Sequence, residues 1–369
     1  MQRIRLDQGA RRWAVAATAA VSATLLLGAC SSASGGTSGT SGTGATSGTS
    51  GTGGSVGAGA TLPTSSNGTP DLKGDTIRIA VGSTPALEDT KVELMAEVLQ
   101  GWGANAQIIN QTGDPAAIRV ILAGDADVGA IAVTSALDSG LTIFGPAQPR
   151  LDYHFMGAPS LKSISQLPGH VYGTSNTHGL EALMFADLLA KNHIPASKVQ
   201  VTLAGGASVR VSAMLTHHID ATFVPESDMG PLIQAGFTDL ANMSTDAPQL
   251  ADSFVGAAPS WVKAHPALAV AVDEAWIKAA QIFNDSKSQW VAAAVKYAGG
   301  TAAAAATTYD ALKAANTFPV TASAFSQSSA VAQEQLAKQV GAITSAPPAS
   351  QWLDMTPWTT AVADMHISS

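Results

Sequence analysis

The chain has 369 residues, with 19 lysines and arginines against 27 aspartates and glutamates, a formal net charge of −8 and one cysteine. A single cysteine excludes an intramolecular disulfide, and the acidic balance argues against nucleic acid as a partner, because phosphate binding wants basic patches. Small anions are not excluded, since backbone N–H groups alone can hold them.

Arg3, Arg5, Arg11 and Arg12 stand against one acid, Asp7, ahead of an apolar run from Ala14 to Leu27. A basic head, a run of this length and small residues before a cut describe a secretory signal. The run is shorter than the about 20 apolar residues that a spanning helix needs. Leu27-Gly28-Ala29-Cys30 resembles the lipobox of bacterial lipoproteins, which implies removal of residues 1–29 and a diacylglycerol on the Cys30 thiol. The alternative is a plain signal peptide with an incidental cysteine. Removing four arginines and one aspartate leaves 15 bases and 26 acids, a net charge of −11. Residues 31–69 are almost wholly Ser, Gly, Thr and Ala without charge. They cannot bury enough surface to offset their ordering entropy, so 30–70 is expected to be a lipidated cysteine with a flexible tether.

From about Asp75 the composition suits two lobes of ordinary size. Ile77–Val81 reads as a strand, and Ala86–Gln100 as a helix with Val92, Met95, Ala96 and Leu99 on one face. A strand at Ala106–Asn110, a helix from about Pro115 and a strand at Val128–Val133 complete the first half. Proline suits the first helical turn, where no N–H is needed. The order then returns: strand Val171–Thr174, helix His178–Lys191 with Leu180, Leu183, Met184 and Leu188 on one stripe, strand Val199–Leu203, helix Ala207–His217 and strand Ala221–Val224. Each half is β-α-β-α-β, which predicts a parallel sheet covered by helices. Residues 261–340 carry an Ala-rich helical pattern, including Pro266–Asn284 and Ser288–Ala298, which Trp261, Trp276 and Trp290 are expected to pack.

These motifs, in this order, resemble the substrate-binding proteins of bacterial ABC transporters, within the nitrate/sulfonate/taurine group and its thiamine-precursor relatives. The carrying residues are Ile77-Arg78-Ile79-Ala80-Val81-Gly82 and Gly124-Asp125-Ala126-Asp127-Val128-Gly129. Further along they are Ile164-Ser165-Gln166-Leu167-Pro168-Gly169, Tyr172-Gly173-Thr174-Ser175-Asn176-Thr177-His178, Asp220-Ala221-Thr222-Phe223-Val224-Pro225-Glu226, Trp261-Val262 and His265-Pro266. The resemblance implies an α/β, type II periplasmic-binding-protein fold with the solute in a cleft between two lobes. Crossings are expected near Gly157–Ser160 and Ser253–Ala258, with lobe I at 75–158 plus 256–369 and lobe II at 159–255. It also implies an extracytoplasmic monomer that captures a small organic or oxyanion solute and delivers it to an ABC permease with its ATPase. The alternative is a sensory or partner-binding lipoprotein on the same fold.

Ligands of parallel α/β sheets bind beyond the carboxyl ends of the strands. That selects Ser83 and Thr84, Thr134 and Ser135, then Ser175, Asn176, Thr177 and His178, and finally Glu226. Ser83, Thr84, Ser175, Asn176 and Thr177 would serve equally as helix N-caps, and His178 as a solvated residue. Glu226 stands where the family has an acid after an aromatic residue, but Pro225 holds the aromatic position here. His217 and His218 diverge by about 100° on a helix and cannot chelate one metal together. No histidine–carboxylate spacing asks for a metal, and nothing asks for a cofactor. There is no Gly-x-Ser-x-Gly elbow or phosphate loop, which argues against an enzyme.

Overall fold

The computed structural model describes Thr64 and residues 68–368. The signal, Cys30 and most of the tether lie outside them. The first lobe opens with β1 (Thr76–Val81), α1 (Thr90–Gly101), β2 (Asn105–Asn110), α2 (Asp114–Ala123), β3 (Val128–Ile131), α3 (Val133–Ser139) and β4 (Thr142–Gln148). The second follows with β5 (Tyr153–Gly157), β6 (Val171–Thr174), α4 (Leu180–Lys191), β7 (Gln200–Leu203), α5 (Ala207–Leu215), β8 (Ala221–Pro225), α6 (Met229–Gln234), β9 (Thr238–Asn242) and α7 (Met243–Asp246). The chain then returns through β10 (Ser253–Ala257) to α8 (Pro259–Ala264), α9 (Pro266–Asp285), α10 (Lys287–Ala298), α11 (Ala302–Ala314), α12 (Gln327–Gln339) and α13 (Thr356–Asp364).

Each lobe holds a five-stranded sheet, in the orders β2-β1-β3-β10-β4 and β7-β6-β8-β5-β9. Two β-α-β-α-β lobes with a cleft and a helical C-terminal extension are therefore present, but the sheets are mixed rather than parallel. β10 runs antiparallel to β3 and β4, and β5 antiparallel to β8 and β9. The reason is topological. A crossing chain enters its new lobe at the cleft edge, so its first strand must run away from the edge that the other strands run toward.

Both crossings lie earlier than expected. Residues 153–157 already pair in the second sheet, so the first crossing is at 149–152 and not near Gly157–Ser160. Residues 253–257 already pair in the first sheet, so the second lies at about 247–252 and not near Ser253–Ala258. The segments expected as connections are the arriving strands β5 and β10. β4 adds to the difficulty: it contains Gly145 and Pro146 yet is buried throughout, and it tolerates proline as an edge strand.

Packing follows the apolar faces. Val92, Met95, Ala96 and Leu99 of α1 are buried, as are Leu183, Met184 and Leu188 of α4. Tyr172 stacks on Phe185 at 3.8 Å and Phe155 meets Phe223 at 4.8 Å, giving the second lobe an aromatic core. Small residues let α9 lie close against α1 and α13. Trp276 and Trp290 are buried in the first core, and Trp261 packs on it against Phe144. The assignment of 256–369 wholly to lobe I needs correction. Ala330 of α12 belongs to the first core, but Ala337 and Ile343 belong to the second, because the apolar stripe of α12 continues past the junction. Among the described residues, no helix is long and apolar enough to cross a membrane.

Candidate functional site

All strands except β5 and β10 end at the cleft edge of their sheets, and those two begin there, so the connecting segments converge on one space. From the first lobe come the turn after β1, with Ser83, Glu88 and Asp89, the start of α2, with Asp114, and the start of α3, with Thr134 and Ser135. The crossings bring Asp152 and Asp252. The second lobe supplies the loop between β6 and α4 and the turn Glu226–Asp228.

A hydrogen-bonded web ties the first lobe to the first crossing. Ser83 Oγ donates to Asp89 Oδ2 at 2.5 Å. Lys91 Nζ lies 3.5 Å from Asp89 Oδ1 and donates to Gln148 Oε1 at 2.7 Å. Gln148 Nε2 in turn donates to Asp152 Oδ1 at 3.0 Å, and the Asp252 N–H donates to the Gln148 carbonyl at 3.0 Å. In the second lobe Glu181 takes the Ser175 N–H at 2.9 Å and pairs with Arg210 at 2.6 Å. Arg210 is 2% exposed and fully committed, donating also to the carbonyls of Phe223 and Gly205.

The crowding shifts the carboxyl groups. Burial, helped by Asp89, pushes Glu88 up to about 7. Burial, helped by Asp252, does the same for Asp114. Asp152 also rises to about 7, through burial and the neighbouring Asp252. Asp252 and Asp228 are raised, chiefly by burial. Burial opposes the charge on Lys91, but Asp89, Asp252, Asp152 and Glu88 outweigh it and its pKa rises.

The residues selected from sequence divide by position. Ser83 sits within the web, whereas Thr84 is exposed beside it. Thr134 is 2% exposed and its Oγ1 has no hydrogen-bond partner. The Ser135 hydroxyl would stand 3.7 Å from a Cβ placed on Gly179, so this turn faces the second lobe. Ser175, Thr177 and His178 are exposed, and Asn176 Oδ1 accepts the His178 N–H at 2.9 Å. The helix expected from His178 begins at Leu180, after Gly179 at φ 110°, and neither α1 nor α4 has a side-chain N-cap. Glu226 is half-buried, and its N–H donates to the Asp152 carbonyl at 2.8 Å.

Sequence reasoning missed Asp89, Lys91, Asp114, Gln148, Asp152, Glu181 and Asp252. Asp114 was within reach, since it follows β2 at the same edge as the loops that were chosen. Asp152 and Asp252 required the crossings to be placed correctly.

No protein-family model matches the chain, and no curated protein matches it by sequence. Solved structures do. The ligand-binding component of an ABC-type import system from Staphylococcus aureus, with zinc bound, is similar at a TM-score of 0.63 and 13% identity, over 78% of this chain and 99% of its own. The periplasmic aliphatic sulphonate-binding protein SsuA from Escherichia coli gives 0.60 at 16% identity, over 75% and 91%. The desulfurization enzyme DSZB gives 0.56 at 12% identity, over 79% and 99%. At these identities the likeness is one of fold. The chain has the two-lobed type II periplasmic-binding-protein fold, and the neighbours include the sulfonate- and import-binding proteins that its motifs resemble.

Proposed function

We propose that this chain is an extracytoplasmic lipoprotein, anchored through Cys30, that captures a small solute in the interlobe cleft and delivers it to an ABC permease with its ATPase. The observation that carries this reading is the convergence of polar groups from both lobes and both crossings, with Lys91 joined through Gln148 to Asp152. A solute in that space touches the joint between the lobes as well as their faces, which is how occupancy alters interlobe geometry. DSZB shows that the same fold also carries enzymes, so the test measures turnover beside binding.

The purified full chain is screened by thermal shift against sulfonates, nitrate, pyrimidines, amines, carboxylates and an aryl sulfinate, with product analysis of every hit. A ligand at a hundred times its dissociation constant stabilises by about 2.7 kcal/mol, several degrees in melting temperature. Stabilisation by one chemical class without product supports solute capture. Product formation overturns it in favour of an enzyme. The wild-type chain should incorporate labelled fatty acid in cells and Cys30→Ala should not, and an unlabelled wild-type chain would remove the lipid anchor from the reading.

A further inference from the structure

The cleft holds far more negative than positive charge. Glu88, Asp89 and Asp114 come from the first lobe, Asp152 and Asp252 from the crossings, and Glu181 and Asp228 from the second lobe. They act on one another across the gap: Glu88 feels Asp228, and Asp114 feels Glu181. Two cations face these seven acids, and neither is free. Arg210 is spent on Glu181 and two carbonyls, and Lys91 on Asp89 and Gln148. Fully ionised, the group would carry five uncompensated negative charges.

A second observation, independent of charge, lies at the same edge. Thr134 opens α3 just beyond the carboxyl end of β3, the strand that lies between β1 and β10 in the sheet. Its hydroxyl is enclosed and has no partner, which costs about 1–3 kcal/mol unless a ligand supplies one. Ser227, at the corresponding place after β8 in the second lobe, has an enclosed Oγ without a partner too. Two orphaned hydroxyls at matching strand ends, among surplus carboxylates, leave a space that lacks a cation carrying hydrogen-bond donors.

We infer that the solute is a small organic ammonium compound, its cationic nitrogen held among Asp114, Asp152 and Asp252 and donating to Thr134. This rests on the solute-capture reading and names its substrate class. The ammonium fits better than a bare metal ion, because its N–H groups reach carboxylates at about 2.8 Å, whereas among the described residues no group of three His, Cys, Asp or Glu side chains is close enough to ligate a metal. Burial of Glu88, Asp114 and Asp152 with pKa values near 7 is what a cation-deprived site of this kind would show.

The test is calorimetric titration of the full chain with ethanolamine, methylamine and putrescine, beside ethanesulfonate, nitrate and zinc chloride. At least one ammonium probe should bind saturably and at least about tenfold more tightly than either anion. Asp114→Asn and Asp152→Asn should each weaken that binding by about tenfold or more, and Thr134→Val by less. The melting temperature of the ligand-free asparagine variants should stay level or rise, which separates lost binding from lost folding. Tight binding of an anion alone overturns the inference and leaves solute capture standing. Binding of zinc alone overturns it in favour of a metal. A folded chain that binds none of the probes overturns it as well, and the wider solute screen then decides whether solute capture survives.

Discussion

Asp273 on α9 is fully buried, and neither of its carboxylate oxygens has a hydrogen-bond partner. Gly145 on β4 makes room for it, since a Cβ there would overlap the carboxyl group. Burial pushes its pKa well up, so the folded state favours the protonated acid. For an acid raised in this way, stability is complete below the unfolded pKa and is lost as pH climbs toward the folded value. Asp273→Asn does not titrate, so its melting temperature should exceed that of the wild type by a margin that grows from pH 5 to pH 8, reaching about 2 °C or more. An equal margin at both values would mean that Asp273 does not titrate there. Gly145→Ala should lower the melting temperature at every pH. Residues of this kind are poorly legible in a sequence. An aspartate on an amphipathic helix reads as solvated, and only the strand packed against it shows otherwise. The hydroxyls at the strand ends were legible because the fold rule points to them. The acids were not, because Asp152 and Asp252 acquire meaning only when segments a hundred residues apart meet.

Asp127 and Asp220 show what the repeated motif does at the level of elements. Asp127, just before β3, accepts the Arg78 N–H at 2.7 Å and pairs with the Arg78 guanidinium at 2.8 Å. Asp220, just before β8, accepts the Val171 N–H at 2.9 Å and lies 3.2 Å from His170. In each lobe the aspartate fastens the start of the neighbouring strand, at the edge away from the cleft. Asp127→Ala leaves the Arg78 N–H of β1 and a half-buried guanidinium without their acceptor. It should cost about 1–3 kcal/mol in urea unfolding while leaving the affinity of any cleft ligand unchanged. A weakened ligand with unchanged stability would contradict this structural role. The parallel strands and the helices between them were legible to within a few residues, because periodicity and the repeat agree. β4, β5, β9 and β10 were not, since the order β-α-β predicts only strands that advance, and these close the sheets from the other direction.

At the scale of the whole molecule, the C-terminal helices do more than complete one lobe. α11 packs against the turn Leu87–Asp89 of the first lobe and the turn Glu226–Asp228 of the second, so it spans the lips of the cleft. α12 reaches from α3 to α4, and its buried Gln333 exchanges two hydrogen bonds with Ala251, donating to the carbonyl at 3.0 Å and accepting the N–H at 3.2 Å. Gln333→Ala leaves both backbone groups of the second crossing unpaired and should cost about 1–3 kcal/mol. It should also speed amide exchange at residues 249–253, and unaltered exchange there would show that α12 does not restrain the crossing. The ligand-free chain as a whole should melt at lower temperature at pH 8 than at pH 5.5. Glu88, Asp114 and Asp152 are favoured protonated in the folded state and lose that advantage as pH rises through about 7. Gln148 has a consequence that reaches past any single measurement. It receives Lys91, holds Asp152 through its side chain and takes the Asp252 N–H on its carbonyl, so one residue ties the first lobe to both crossings. On the proposed reading the lips, around Glu88 and Asp228, are therefore free to vary with the solute, while Gln148 is held in place by two demands at once.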